Sequence, residues 1–552
     1  MSAQTPPREP APTTRQSALS TTREPFVPPR QVLDQVQGRF LDPGTALSVR
    51  GVRPRSTVYV GPRVIVSVTP DVVEVVSRLQ TVAESLGWEA EVNPDDADEL
   101  DGQRDERAVP GVVRLELVVR DETATQAPDG WVLLQNARAR YGIEAMSRVG
   151  LDHIVLIRSI GANPFHSPSP FHSPSPFHSP SPFHSPSPFH SPSPFHSPSP
   201  VSSSGSAAVS SYGMPGSGGR QPMMYAGPAP LRRTEDEIVG RRPVVATLDT
   251  GCGRHDWLVE AHAPGPDLDG TPIGYVDDAT DPERWFDQVG ALDGGIDALA
   301  GHGTFIAGLV HQGCPDADII TWRIVGSDGP VVESELIRAL RAIAEVARRH
   351  RDGEEGGHPI DVLTLSLGYY HETPEDLLFD PTMYQILRRL GECGVSVVCS
   401  AGNDATARPM FPAAFAPWAD GKGGAEVTDD VVPVVSVGAL NPNGTDALFS
   451  NAGPWVRAYA PGAAVMSTLP PFQGGLEPAA RSEAYMRVRE SIDPDDFTGA
   501  FALWSGTSFA APLFAGRLAK SLVDQVDPAH DGRSEAVERA WQALTGITDL
   551  TT

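Results

Sequence analysis

The spacing of apolar residues predicts a small folded domain in residues 56–160. Val64-Ile65-Val66-Ser67-Val68 is typical of a strand, and Thr69-Pro70 then marks a helix start. From Val72 to Leu86 the valines and leucines recur at helical spacing. Later runs predict strands at 89–92 and 112–119, a helix at 131–141 and a last strand at 153–157. The resulting order, β-α-β-β-α-β, is that of the ferredoxin-like, or split βαβ, fold.

The second half of the chain contains three short apolar runs that predict buried strands. The first is 244–248 and ends at Asp249, the second is 361–368 and ends in small residues, and the third is 395–403 and ends in a small-residue turn and the amide of Asn403. Apolar positions at helical spacing also predict helices that begin near His302 and Ser508. We expect the second of these helices to tolerate Pro512 because this residue falls in its first turn. Sites in α/β folds form at strand ends, so the polar residues there are candidates for chemistry.

Three segments without apolar periodicity flank or separate these units. Residues 1–55 are rich in Pro, Thr, Ser and Arg, which is typical of a disordered tail. In residues 164–200 the hexapeptide Pro-Phe-His-Ser-Pro-Ser repeats six times, which favours a semi-rigid polyproline II spacer. The Gly- and Ser-rich stretch 201–230 is expected to be flexible. We therefore divide the chain into a tail (1–55), an α+β domain (56–160), a linker (161–234) and a larger domain (235–552).

Composition narrows the classes of function. The 552 residues carry a net charge of −27, which argues against a nucleic-acid partner because phosphate binding needs clustered Lys and Arg. The chain has no apolar run of about 18 residues and no apolar core of a secretory signal, so we expect a cytoplasmic protein without a membrane partner. The cysteines are too few for a disulfide framework and are expected to be reduced and mostly buried, and no paired Cys or His spacing predicts a metal site. They are Cys252, Cys314, Cys393 and Cys399.

The candidate chemistry is acyl transfer through a serine. Asp249, His302 and Ser508 each stand beside glycine or another small residue, and they supply an acid, a base and a nucleophile. A serine hydroxyl needs an imidazole to take its proton and a carboxylate to orient that imidazole. We assign the oxyanion hole to the side-chain amide of Asn403 and the backbone N–H of Ser508. The strand that ends in Ser366-Leu367-Gly368 is expected to pair with an extended substrate.

Four motifs in this order resemble those of subtilisin-like serine peptidases, the subtilases. They are Asp-Thr-Gly at 249–251, Gly-His-Gly-Thr at 301–304, Ser-Ala-Gly-Asn at 400–403 and Gly-Thr-Ser-Phe-Ala-Ala-Pro at 506–512. The resemblance covers about residues 235–530 and implies a parallel sheet flanked by helices, endopeptidase activity and protein or peptide substrates. It also implies substrate contacts along 366–368 and along Ser400, Ala401 and Gly402. No cofactor is required; many subtilases use structural calcium, but no carboxylate cluster here has calcium-loop spacing.

The sequence departs from the family pattern in several places. Cys252 stands where an aliphatic residue is common, and Phe305 where many members have a second histidine. Between Thr468 and Ser505 the connection is long and includes a polar, helix-like segment, 477–490, which could restrict the substrate cleft. The acidic stretch 277–297 could favour basic peptides near His302. Acidic loops are, however, more often solvated surface.

Several interpretations stay open at this stage. The α+β domain resembles subtilase propeptides in size and position, so it is either an intramolecular chaperone or inhibitor that presents its C-terminal tail to the cleft, or an unrelated partner-binding domain. Exposed flexible segments are preferred cleavage sites, so we predict autoprocessing between residues 201 and 240, for instance at Arg232-Arg233. Two alternatives to a regulated peptidase are a catalytically silent scaffold that holds peptides and an adaptor that acts through the repeat. The evenly spaced repeat histidines also allow pH sensing or metal binding.

Overall fold

A computed structural model describes residues 24–28, 30–49, 53–100, 109–157, 219–289, 294–327, 329–373 and 381–551. The hexapeptide repeat and the stretch that follows it lie outside the described residues, as does most of the predicted tail. No helix in the described ranges is long and apolar enough to span a bilayer.

The N-terminal domain has the topology that the apolar pattern predicts. Its sheet has the order β5-β2-β4-β3 with antiparallel neighbours, and α2 and α3 pack against it. Val64, Leu79, Leu115 and Leu133 are fully buried in its core. This strand order is that of the split βαβ fold. The elements are β2 (Thr57–Ser67), α2 (Val72–Ser85), β3 (Trp88–Val92), β4 (Val112–Val119), α3 (Gly130–Tyr141) and β5 (Val149–Ile157).

Part of the predicted tail is folded, which corrects the boundary at residue 55. The helix α1 (Arg30–Gln35) and the strand β1 (Gly38–Leu41) precede the domain, and β1 pairs antiparallel with β2. Leu33 and Leu41 are buried. These elements are too short to show a hydrophobic period, and β1 is stabilised by pairing with a strand that follows later in the chain.

The larger domain is built on a parallel sheet. Its strands follow the order β15-β14-β13-β11-β7-β9-β8, and every neighbouring pair is parallel. They are β7 (Val244–Asp249), β8 (His262–Pro264), β9 (Asp318–Arg323), β11 (Val362–Leu365), β13 (Ser396–Ser400), β14 (Val435–Leu440) and β15 (Ala458–Pro461). All residues of β7, β11 and β13 are buried, as expected for strands covered on both faces.

Helices cover both faces of this sheet. On one face, Ala246 of β7 belongs to a core shared with α5 and α6, and on the other, Val245 belongs to a core shared with α7 and α8. The alternation follows from the two-residue period of a strand. The helices are α4 (His302–Gly313), α5 (Glu333–Asp352), α6 (Pro381–Glu392), α7 (Thr507–Leu522) and α8 (Arg533–Thr545).

The folded part of the larger domain includes residues 219–234, which the sequence assigned to the linker. The strand β6 (Gln221–Met223) pairs with β19 (Phe501–Trp504), which also pairs with β16 (Val465–Thr468). Arg220 is fully buried and donates hydrogen bonds to backbone carbonyls near residue 297. Arg232 and Arg233 form ion pairs with Asp318, Asp316 and Asp524. Of the predicted cleavage window, residues 219–240 are therefore held in the larger domain by contacts that no local sequence pattern reveals.

The polar segment 477–490 is a hairpin and not a helix. Its strands are β17 (Arg481–Ala484) and β18 (Arg487–Glu490), joined by Tyr485 and Met486, whose φ angles are +52° and +58°. Two left-handed residues in a two-residue loop match the twist of a hairpin. Residues 477–490 are almost all exposed, so no pattern of buried positions could indicate strands. The prediction of a helix therefore depended on composition alone.

The sheet of the N-terminal domain continues into the larger domain. Two short strands, β10 (Pro330–Val332) and β12 (Leu367–Gly368), both pair antiparallel with β5. Leu156 faces Pro330 on one side and Gly368 on the other. The end of β5 therefore lies between two strands of the larger domain.

Candidate active site

Asp249 and His302 form a buried pair at the carboxyl end of the parallel sheet. Asp249 is the last residue of the central strand β7, and His302 is the first residue of α4. The imidazole Nδ1 lies 2.7 Å from Oδ1 of Asp249, and both residues are almost fully buried. Donation from Nδ1–H to the carboxylate leaves Nε2 as the basic nitrogen of the ring.

Glycines allow the two segments to approach this closely. Gly301 has a left-handed φ of +80° and starts the turn from which α4 begins. A Cβ atom on Gly303 would lie 2.0 Å from the carbonyl oxygen of Gly251, so any side chain there would push the two segments apart. The glycines on either side of His302 therefore serve backbone approach, as the sequence suggested.

Glu283 is an important residue of this region that the sequence did not reveal. Its buried carboxylate accepts hydrogen bonds from the backbone N–H groups of Gly303 and Thr304 and from the hydroxyls of Thr250 and Thr304. It thus caps the N-terminus of α4 and joins it to the residue after Asp249. Burial raises the pKa of Glu283 to about 8, although these hydrogen bonds favour the ionised form.

Ser508 lies at the start of α7, close to His302. The ring of His302 contacts Phe509, the next residue after Ser508, and also Trp504, with ring centroids 5.3 and 5.5 Å apart. Nε2 of His302 is buried and makes no hydrogen bond to a described residue. Asp249, His302 and the segment that carries Ser508 therefore meet at one end of the sheet.

Pro512 lies deeper in α7 than expected, and this has a consequence for Ser508. The helix begins at Thr507, so Pro512 is in its second turn and cannot donate to the carbonyl of Ser508. The hydroxyl of Ser366 donates to that carbonyl instead, at 2.9 Å. The proline thus leaves a carbonyl acceptor free for Ser366, and this hydrogen bond links α7 to the start of the predicted substrate strand.

Asn403 is held beside the same helix terminus. Its Oδ1 accepts hydrogen bonds from both the backbone N–H and the hydroxyl of Thr507, each at 2.9 Å. The hydroxyl of Thr507 in turn accepts from the N–H of Gly402. These bonds fix the orientation of the Asn403 carboxamide beside Thr507, the residue before Ser508. The amino group of the carboxamide is its hydrogen-bond donor.

The two predicted substrate segments differ in their surroundings. Leu367 and Gly368 pair with Ile157 and Leu156 of β5, so this edge is occupied by the N-terminal domain. Ala401 and Gly402 instead bond within the larger domain, to Val437, Asn451 and Thr507, while Ser400 pairs with Val437 in the sheet. A substrate role for residues 400–402 stays a prediction.

Phe305 and Cys252, the two residues that differ from the family motifs, pack against their neighbours. Phe305 is fully buried and lies against Trp504 and Phe509, with centroids 5.6 and 4.6 Å apart. Cys252 is half-buried, the other cysteines are buried, and all four are free thiols. Burial raises the pKa of the Cys252 thiol well above its ordinary value.

The acidic stretch 277–297 is not wholly a solvated surface, because Glu283 and Asp297 are buried.

Comparison with known proteins identifies the family of the larger domain. The family model of the subtilases matches residues 240–537. An intracellular serine protease from Paenibacillus polymyxa is 26% identical over a match of 298 residues, which covers 51% of this chain and 66% of the relative. The major intracellular serine protease of Bacillus subtilis is 25% identical over 297 residues, 51% of this chain and 69% of the relative. The chain thus spans about two thirds of the length of these relatives.

Among solved structures, fervidolysin from Fervidobacterium pennivorans is 18% identical, with a TM-score of 0.41, over 86% of this chain and 56% of its own. The family assignment depends on the model match, which covers more than half of the 552 residues and includes Asp249, His302, Asn403 and Ser508. The chain therefore belongs to the subtilase family of serine-type endopeptidases.

Proposed function

We propose that this protein hydrolyses peptide bonds with Asp249, His302 and Ser508 as its catalytic triad. The observation that carries the proposal is the buried 2.7 Å contact between Asp249 and His302 beside α7, whose first turn contains Ser508. Oγ of Ser508 attacks the substrate carbonyl and passes its proton to Nε2 of His302. Asp249 holds the ring in the tautomer that can accept this proton and stabilises the imidazolium.

The remaining steps use the same groups. The amide of Asn403 and the backbone N–H of Ser508 donate to the oxyanion, an interaction whose loss typically costs about 10² to 10³ in rate. His302 then returns the proton to the leaving amine, which leaves an acyl group on Ser508. A water molecule, activated by His302, hydrolyses this ester and regenerates the enzyme.

We further propose that the N-terminal domain inhibits the enzyme by occupying its substrate cleft. The end of β5 pairs with β12 and β10 as an extended peptide would, which supports this idea over a domain that binds an unrelated partner. Ion pairs also cross between the domains, including Arg114 with Glu335 and Arg338 with Asp96. The domain is therefore a built-in competitor of protein and peptide substrates.

Autoprocessing is proposed close to the end of β5. Ile157 pairs with Leu367, and the residue before Leu367, Ser366, contacts the carbonyl of Ser508. Ile157, the last described residue of β5, therefore lies near the segment that carries Ser508, whereas residues 219–240 are bonded into the folded domain. The names of the relatives and the free cysteines favour a cytoplasmic location.

Incubation of the purified chain with an unfolded protein substrate tests the proposed activity. We expect fragments, and a new N-terminus a few residues after Ile157, from the wild-type chain but from neither Ser508→Ala nor His302→Ala. Equal fragment patterns from the wild-type and Ser508→Ala chains would favour the silent scaffold. If deletion of residues 164–200 abolished partner capture and left hydrolysis unchanged, the repeat would have an adaptor role of its own.

A further inference from the structure

Three potential metal ligands meet where β5 enters the cleft. His153 comes from the N-terminal domain, whereas His371 and Glu372 follow the substrate strand β12 of the larger domain. All three are at most 1% exposed. One nitrogen or oxygen atom from each lies within 4.8 Å of those of the other two. Because the two histidines are far apart in the chain, no ligand spacing in the sequence could have indicated this group.

Glu372 supplies a second observation that points to a cation. Its Oε2 lies 2.8 Å from Nε2 of His153, but its Oε1 is buried and has no hydrogen-bond partner among the described residues. A buried carboxylate oxygen without a partner is costly, and buried charges are usually paired or coordinate metals.

Glu333 orients the imidazole of His153 in the way that metal ligation requires. Its Oε2 lies 2.5 Å from Nδ1 of His153, and its Oε1 accepts a hydrogen bond from the hydroxyl of Tyr369. With Nδ1–H donated to Glu333, Nε2 is the nitrogen that faces Glu372. Metal-binding histidines in proteins almost always donate their other N–H to a carboxylate or carbonyl in this way. Tyr369 also stacks on His153, and Phe411 contacts His371, which gives the group an aromatic surround.

We propose that His153, His371 and Glu372 bind a divalent transition metal ion, with Zn²⁺ as the best match. Two imidazoles and one carboxylate suit zinc, whereas calcium and magnesium prefer oxygen ligands only. The ion links the inhibitory strand to the segment beside the substrate cleft. The competing explanation is a hydrogen-bonded network in which a proton on Nε2 of His153 takes the place of the metal.

Zinc binding is tested on the full chain with Ser508→Ala, which prevents self-cleavage. The repeat histidines, 166 to 196, are replaced by serine in this parent because imidazoles in the repeat also bind zinc. After chelator treatment and dialysis, titration calorimetry with ZnCl₂ should give one ion per chain. Zinc should also raise the melting temperature of the parent.

Variants assign the site. Glu372→Gln and His371→Ala should abolish saturable binding, and Glu333→Gln, which keeps all three proposed ligands, should weaken it by about 10- to 100-fold. The matched control is His530→Ala, at an exposed histidine in a turn before α8, and it should bind as the parent does. If Glu372→Gln does not fold, His371→Ala and Glu333→Gln still assign the site. Equal zinc content and equal melting shifts in the parent and these variants would overturn the proposal, as would no binding at all.

A second experiment tests whether the metal ion keeps the peptidase inactive. Only this experiment rests on the proposed function. Chelation of the wild-type chain should hasten the appearance of peptidase activity, and added Zn²⁺ should slow it. The calorimetry uses an inactive chain, so a protein that binds zinc but never cleaves peptides would contradict the peptidase and leave the site intact. A chain that cleaves peptides but binds no zinc would contradict only the site.

Discussion

At the scale of single residues, two buried carboxyl groups near His302 have different roles because their partners differ. Asp249 contacts the imidazole itself, whereas Glu283 bonds to the backbone at the start of α4. Asp249→Asn should keep the fold and reduce kcat by about 10⁴, because the amide stabilises the wrong imidazole tautomer. Steady-state hydrolysis of a peptide substrate measures this, with the exposed Asp256→Asn as the control. A loss below tenfold would argue against Asp249 as the triad acid.

Glu283 predicts a dependence of stability on pH. Burial raises its pKa from 4.5 in the unfolded chain to about 8 in the folded protein. Between these values the folded state still holds the proton that the unfolded state has lost. This contribution to the free energy of unfolding is therefore full below about pH 4.5 and falls as pH rises, by at most about 1.4 kcal/mol per unit.

Urea denaturation of the Ser508→Ala chain at several pH values measures the effect of Glu283. The difference in stability between this chain and its Glu283→Gln derivative should shrink steadily between about pH 4.5 and 8, as the parent loses stability and the amide does not. Parallel pH profiles for the two chains would contradict the raised pKa.

The residues that could be found from sequence are those whose neighbours are distinctive. Asp249, His302 and Ser508 stand in glycine-rich motifs, so their positions were predictable. Glu283 lies in an acidic stretch that resembles ordinary surface, and its role arises from burial against α4. His153 was seen only as part of an apolar strand, because its partners Glu333 and Glu372 come from later segments.

At the scale of elements, the contribution of the Ser366 hydroxyl to stability depends on Pro512 in α7. Removing the hydroxyl with Ser366→Ala leaves the carbonyl of Ser508 without its described side-chain donor, which should cost about 1–3 kcal/mol of stability. Pro512→Ala restores a helical N–H four residues after Ser508. The cost of Ser366→Ala should therefore be smaller in the Pro512→Ala background, by about 1 kcal/mol.

A double-mutant cycle, measured by urea denaturation, tests this coupling. Additive effects of the two substitutions would show that the hydroxyl of Ser366 does not replace the missing helical donor. Ser521→Ala is a matched serine control, because this exposed hydroxyl also donates to a carbonyl of α7, that of Arg517, but no proline is involved.

Elements with a strong hydrophobic period were predictable, and those without one were not. The helix α2 was predicted from its valines and leucines, and Val112–Val119 was predicted with its observed bounds. In contrast, β1 and the hairpin of β17 and β18 have few buried residues and no clear period. Their structure depends on pairing with another strand, which a local pattern does not encode.

At the scale of the whole molecule, the proposed inhibition requires that β5 stays bound between β10 and β12. Val155 of β5 is fully buried in the core of the larger domain, opposite Val331. Val155→Asp should displace the strand, because it buries a charge without a partner. The rate of peptide hydrolysis by freshly purified chain should then rise at least about tenfold.

The matched control for this prediction is Val118→Asp, at a position on β4 that is 40% exposed. It should leave the rate unchanged, since a surface charge on the N-terminal domain does not disturb the cleft. Equal rates for Val155→Asp and the wild-type chain, with both folded by circular dichroism, would show that β5 does not block substrate.

Labelling by a fluorophosphonate probe, followed by peptide mapping, tests the central claim most directly, because only an activated serine reacts quickly. We predict one label per chain, on Ser508, with the rate lost in His302→Ala and raised in Val155→Asp. Absence of label on Ser508 in both the wild-type and Val155→Asp chains would contradict a working triad and leave only the subtilase fold.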